Sequence, residues 1–147
     1  GFPYSNCEPM TDLFGNLYTW EQAQDACPEG WRIPTEEEWK AVCGGSFENV
    51  AGRLMVDAYF NGERMWEYWP KVDNAKGMNL IPSGYGVIAD EQYDFEGLNE
   101  YATAWTSSAH EEQMKYISVY VSEPDVFIGA ASTVTEGTIV KKGAIIC

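Results

Sequence analysis

Hydrophobic positions change their period near residue 77, and the change separates an early helical part of the chain from a late stranded part. In Thr19–Gly44 (TWEQAQDACPEGWRIPTEEEWKAVCG) they recur at helical spacing in two short runs. Trp20, Ala23 and Cys27 fall on one face of the first run; Trp39, Val42 and Cys43 fall on one face of the second. Each run opens on a capping box, Thr19 with Gln22 and Thr35 with Glu38. In such a box the hydroxyl and the longer side chain occupy amide donors that a helix start leaves without partners. Glu36, Glu37 and Glu38 place negative charge in the first turn of the second helix, where the backbone dipole favours it. Pro28, Gly30 and Pro34 interrupt the helix between the two runs, and Gly44-Gly45 stops the second.

From residue 77 the period is two. GMNLIPSGYGVIA predicts one or two strands around Pro82-Ser83-Gly84, and YATAWTSS predicts another. YISVYV and VFIGA, joined by Ser-Glu-Pro-Asp, predict a hairpin, and KKGAIIC a last strand closing on Cys147. DEQYDFEGLNE reads as an acidic loop. Residues 1–15 read as an irregular arm leading to a short strand near Leu17 and Tyr18. Residues 46–70 read as a broken helix or loop, with a turn at Asn61-Gly62. Helices first and antiparallel strands last predict one α+β domain spanning 1–147.

Composition narrows the partners. The chain has 147 residues, 45% of them hydrophobic, enough for a real core. Its formal charge of −14 gives no footprint for a phosphate backbone, so nucleic acid is excluded as a natural partner. The same charge is repelled by anionic membrane surfaces, and no apolar run is long enough to span a bilayer. Four cysteines without a Cys-x-x-Cys pair, and a single histidine, argue against zinc. They permit three disulfide pairings and suit an oxidising compartment, hence an exported protein whose targeting segment is absent from this sequence.

Three groups of residues carry candidate chemistry. Trp66, Tyr68 and Trp69, with Tyr93 and Phe95, form an aromatic cluster on which the apolar faces of sugar rings would lie. Nearby carboxylates would accept the sugar hydroxyl hydrogens. Against this, Trp66 and Trp69 are three residues apart and equally suit a core-facing pair. Asp90, Glu91, Asp94 and Glu96 offer oxygens for calcium, with Asp90, Asp94 and Glu96 the candidate ligands. Their spacing does not match an EF-hand, so a solvated acidic loop and no cofactor is the favoured reading. His110 follows Ser108 by two residues, but a triad is assembled across a fold, and a lone histidine in a polar loop reads as solvent-facing. No catalytic residue is expected.

At Leu17–Trp39 (LYTWEQAQDACPEGWRIPTEEEW) the chain resembles the signature of the Fibrobacter succinogenes major paralogous domain, a family of bacterial surface and secreted modules. Leu80-Ile81-Pro82-Ser83-Gly84-Tyr85 and Trp105-Thr106-Ser107-Ser108 resemble two later segments of it. The resemblance covers residues 16–147 and implies a C-type lectin-like fold: two helices on a twisted, mostly antiparallel sheet with a loop-rich upper half. It further implies a Cys27–Cys147 disulfide, leaving Cys7 with Cys43, and a structural-core role for Trp20, Trp31, Trp39 and Trp105. The chain departs from the calcium-dependent lectins. Its Glu123-Pro124-Asp125 lies between two alternating strands, where a hairpin turn explains it, and no Trp-Asn-Asp follows.

The expectation from all of this is a non-enzymatic extracellular binding or adhesion module of a bacterial surface or secreted protein. It would recognise a glycan or a surface protein through exposed aromatics. The alternative is a structural or assembly domain of a surface appendage with no small ligand.

Overall fold

The computed structural model describes residues 1–67, 71–89 and 92–132. The expected irregular arm is in fact structured. β1 (Phe2–Pro3) pairs antiparallel with β2 (Asn16–Leu17), and α1 (Pro9–Phe14) lies between them. Pro9 opens that helix, where a missing N–H costs nothing, and Gly15 ends it by donating to the Thr11 carbonyl at 2.9 Å. Phe14 and Leu17 are buried, which fastens the arm to the body.

Both predicted capping boxes form. α2 (Trp20–Ala26) starts with Gln22 N donating to Thr19 Oγ1 and Thr19 N to Gln22 Oε1. α3 (Glu36–Val42) repeats the exchange between Thr35 and Glu38. Arg32 then clamps the Glu38 carboxylate from outside with both guanidinium nitrogens. That contact, helped by the Thr35 amide, holds the Glu38 carboxyl down at about 2.

Residues 46–67 contain more order than the broken helix or loop that composition suggests. α4 (Ala51–Leu54) is a single buried turn, and β3 (Tyr59–Phe60) with β4 (Glu63–Arg64) makes a two-residue hairpin. Asn61 and Gly62 both have positive φ, 51° and 81°, the turn that matches strand twist. The remaining strands are β5 (Ser83–Ala89), β6 (Gln92–Leu98), β7 (Tyr101–His110), β8 (Gln113–Tyr120) and β9 (Phe127–Ser132). They form one sheet in the order β6-β5-β7-β8-β9, antiparallel except for the β5/β7 neighbours. β6 corrects the acidic-loop reading. Its Tyr93 and Phe95 alternate with Gln92, Asp94 and Glu96, and the strand pairs along β5 from Ala89 to Ser83. The predicted last strand, 141–147, lies outside the described residues.

The two faces of this sheet are closed differently. Ala102, Ala104, Ile117 and Val119 point to one face and pack with Trp39, Leu54, Met55 and Trp66 in the main core. Trp105, Tyr116 and Ala131 point to the other, where Ala23 of α2 and Ile33 cover them. The two helices of the early corner therefore lie on opposite faces. Trp105 is fixed at the centre of the second cluster: its indole N–H donates to the Tyr18 carbonyl at 2.9 Å, and its ring meets Trp20 and Tyr116 edge-on.

Two expectations fail here. Trp31 is 65% exposed, not core, because it sits in the turn closed by its own N–H on the Pro28 carbonyl and points outward. Trp20 is half-buried, whereas Trp39 and Trp105 are core as expected. Cys7 and Cys43 are both free thiols, so the implied pair between them is not made. Cys7 faces solvent on the arm, whereas Cys43 is packed inside the main core, where burial raises its thiol pKa. Cys27 is disulfide-bonded, and Cys147 lies outside the described residues.

Candidate functional site

Trp66 cannot be a sugar platform. It is fully buried, packed in the main core, and its indole N–H donates to the Leu80 carbonyl at 2.9 Å. Tyr68 and Trp69 lie outside the described residues, as does the Tyr93 side chain. Phe95 is half-buried against Tyr4 of the arm, with ring centres 5.5 Å apart. Of the five candidate aromatics, the two whose side chains are described thus offer no shared exposed surface. Asp94 and Glu96 are exposed on β6, one on each side of Phe95, and Asp90 lies outside the described residues. Among the described residues no group of three His, Cys, Asp or Glu side chains is placed to hold a metal ion. His110 stands exposed at the end of β7, and the Ser108 hydroxyl near it accepts from the Glu36 amide at the start of α3.

The aromatic surface lies elsewhere, on the part of the second sheet face that α2 does not reach. Alternation along β7 puts Tyr101, Thr103 and Trp105 on that face, and along β8 it puts Tyr116, Ser118 and Tyr120 there. α2 covers the Trp105–Tyr116 end. Among the described residues no element covers the other end, and Tyr101, Ser118, Tyr120, Glu123 and Phe127 line a cleft of about 310 Å³ there. Tyr101 and Tyr120 are register partners whose rings stack with centres 4.5 Å apart and 26° between planes. Tyr85 meets Tyr101 edge-on at 5.5 Å and donates its hydroxyl to Glu96 Oε2 at 2.8 Å. Phe127 is 45% exposed at the outer wall. Gly129 is needed beneath: a Cβ there would overlap the Tyr116 hydroxyl that lies across β9.

The hydroxyls of Tyr85 and Tyr101 are pushed further into the phenol form. Burial first, then the hydrogen bond and charge of Glu96, push the Tyr85 hydroxyl far above its ordinary range. Burial, Tyr120 and Glu100 raise Tyr101 in the same direction. At physiological pH the cleft thus offers flat apolar faces, neutral hydroxyls that donate and accept, and one carboxylate, Glu123. This is the inventory for a neutral, hydroxylated ring rather than for covalent chemistry. The signal was present in the sequence as two period-two runs, Tyr101-x-Thr103-x-Trp105 and Tyr116-x-Ser118-x-Tyr120. Which ends of those runs meet in the open needs the register of the strands.

The turn from β8 to β9 is held as a hairpin, in keeping with its sequence. Glu123 N donates to the Tyr120 carbonyl, the Pro124 carbonyl accepts from Ala51 N at 3.0 Å, and Asp125 Oδ1 accepts from Asn49 N at 2.8 Å. The tripeptide therefore ties the sheet to α4.

Residues 3–142 match the model of the Fibrobacter succinogenes major domain. The chain belongs to this family. No curated protein and no solved structure matches it. Among the described residues no helix is long and apolar enough to cross a membrane.

Proposed function

We propose that this domain is a non-catalytic recognition module that binds a saccharide in the tyrosine cleft at the open end of the sheet. The observation that carries the reading is the stacked Tyr101–Tyr120 pair beside Glu123 and the exposed Phe127, in a cleft on the sheet face that α2 covers at its other end. Aromatic faces match the apolar faces of sugar rings, while the hydroxyls and the carboxylate match the ring's polar edge. The cleft stands on paired strands, so its geometry is set before the ligand arrives and little ordering entropy is lost on binding.

The C-type lectin-like arrangement implied by the sequence resemblance is the finer form of the α+β fold that we adopt here, and an extracellular or cell-surface setting goes with it. The disulfide at Cys27 supports that setting, because such bonds persist in oxidising compartments. We keep the Cys27–Cys147 pairing as part of the proposal.

The test is binding to a panel of immobilised oligosaccharides, followed by calorimetry on any hit. Saturable binding that weakens at least about tenfold in both Tyr120→Ala and Phe127→Ala supports the cleft. Binding that ignores both substitutions overturns it. The alternative, an assembly domain that touches only sister chains, draws on the β3–β4 hairpin, whose Tyr59 and Phe60 are 63% and 49% exposed. Self-association lost on Tyr59→Ser, with no saccharide bound, would favour that reading instead.

A further inference from the structure

We propose that a groove on the far side of the β8–β9 turn takes the carboxylate of an acidic saccharide whose neighbouring ring occupies the tyrosine cleft. The proposal rests on the saccharide reading above and names the ligand class for it. The groove has a volume of about 430 Å³ and is lined by Asn49, Gly52, Arg53, Lys71, Asp73 and Pro124. Its walls are pinned by backbone bonds. The Gly52 carbonyl accepts from Asp73 N, the Arg53 carbonyl from Lys76 N, and the Pro124 carbonyl from Ala51 N.

Charge sets this groove apart from the rest of the molecule. The chain carries 9 basic residues against 23 acidic ones. Arg32, Arg64 and Lys115 are matched within the fold to Glu38, Asp57 and Glu36. Arg53 is exposed and has no carboxylate partner among the described residues; Lys71 lines the same groove. Asp73 also lines the groove and accepts from Ala75 N at 2.9 Å, and Asp125, next to Pro124, accepts from Asn49 N at 2.8 Å. The lining thus holds two cationic side chains against the one carboxylate of Asp73, whereas the tyrosine cleft holds Glu123 alone, and Arg53 adds a guanidinium fork whose planar geometry fits a carboxylate through two parallel hydrogen bonds. The net charge of −14 does not cancel this. At physiological salt the screening length is about 8 Å, so distant carboxylates are screened while the groove's own charges act at contact.

Position then chooses the ligand. Glu123 lines the tyrosine cleft and Pro124 lines the groove, and consecutive Cα atoms are about 3.8 Å apart. Both sites therefore border the same turn, and the ligand we infer is one oligosaccharide that crosses it. Glu123 disfavours a carboxylate on the cleft side, so the uncharged ring face belongs on the tyrosines and the acid on Arg53. An acidic peptide would satisfy the fork but has no flat hydroxylated face for the stacked rings.

Calorimetry at physiological salt with a hyaluronan tetrasaccharide, in which uncharged N-acetylglucosamine rings alternate with glucuronate, and with its full methyl ester tests this on the whole chain. The acid is expected to bind about tenfold more tightly than the ester. Arg53→Gln is expected to bring the acid down to the ester's affinity, and Arg53→Lys, which keeps the charge and loses the fork, to fall between. Tyr120→Ala is expected to weaken acid and ester together. Equal binding of acid and ester, or a preference that survives Arg53→Gln, overturns the groove and leaves the cleft standing. An acid preference that follows Arg53 but ignores Tyr120→Ala keeps the groove and overturns the cleft reading. Binding of neither sugar overturns both.

Discussion

The two faces of the central sheet use the same alternation of side chains and reach opposite ends. On one, Ala102 and Ala104 are small, and the space above them is filled by Trp39, Leu54, Met55 and Trp66 from outside the sheet. On the other, the large side chains belong to the sheet itself: Tyr101, Trp105, Tyr116 and Tyr120. Small strand residues let other elements sit down and seal a face. Large ones fill their own half and leave a short helix, α2, to cover only one end. The closed face supplies stability, and the open end of the other supplies an aromatic surface on a frame that the closed face keeps rigid.

The strongest way to break this contrast is to remove an anchor of the closed face. Trp66→Ala is expected to cost about 3–5 kcal/mol through cavity formation, read as a shift in the urea midpoint. A loss under about 1 kcal/mol would mean that the face is not sealed as described. On the open face the exacting position is a glycine. Gly129→Ala must push the Tyr116 ring, with an expected cost of about 1–3 kcal/mol by the same measurement and a simultaneous loss of saccharide binding. Tyr120→Ala sharpens the contrast from the other side. Its half-exposed ring loses one stacking partner, so its stability cost is expected to be about 1 kcal/mol, small beside its effect on binding.

The smallest effect is a pH dependence at the start of α3. Glu38 is held at about 2 against an ordinary 4.5 by Arg32 and the Thr35 amide. A depressed carboxylate contributes stability above its unfolded pKa and loses it as pH falls through the folded one. Thermal stability is therefore expected to lose this contribution between about pH 4.5 and 2, with a shallower slope in Arg32→Ala. Both groups are solvent-exposed, so the change is expected to be modest. An identical slope in the variant would remove the clamp from the account.

Much of the early corner was legible because its signals are local. The Thr19 and Thr35 boxes need only four consecutive residues each, and both formed. The Asn61-Gly62 turn is equally local, although the hairpin around it was lost in a stretch that composition alone leaves without a period. β6 was misread because acidity was weighed above alternation, and the pairing with β5 decided the matter. Trp66 and Trp31 exchanged the places assigned to them, one into the core and the other into solvent, for a shared reason. A tryptophan's neighbours in sequence do not say which surfaces arrive over it from elsewhere.

Sequence alone thus determined the capped helices, the β8–β9 hairpin, the family and the acidic character, since each follows from short-range chemistry or from a motif. The tertiary structure decided which aromatic rings are exposed, that Cys7 and Cys43 stay apart, and that Arg53 of α4 lines one groove with Pro124 of the β8–β9 turn. Those outcomes depend on strand register and on which side of the sheet each helix takes, and both are set by contacts between residues far apart in the chain.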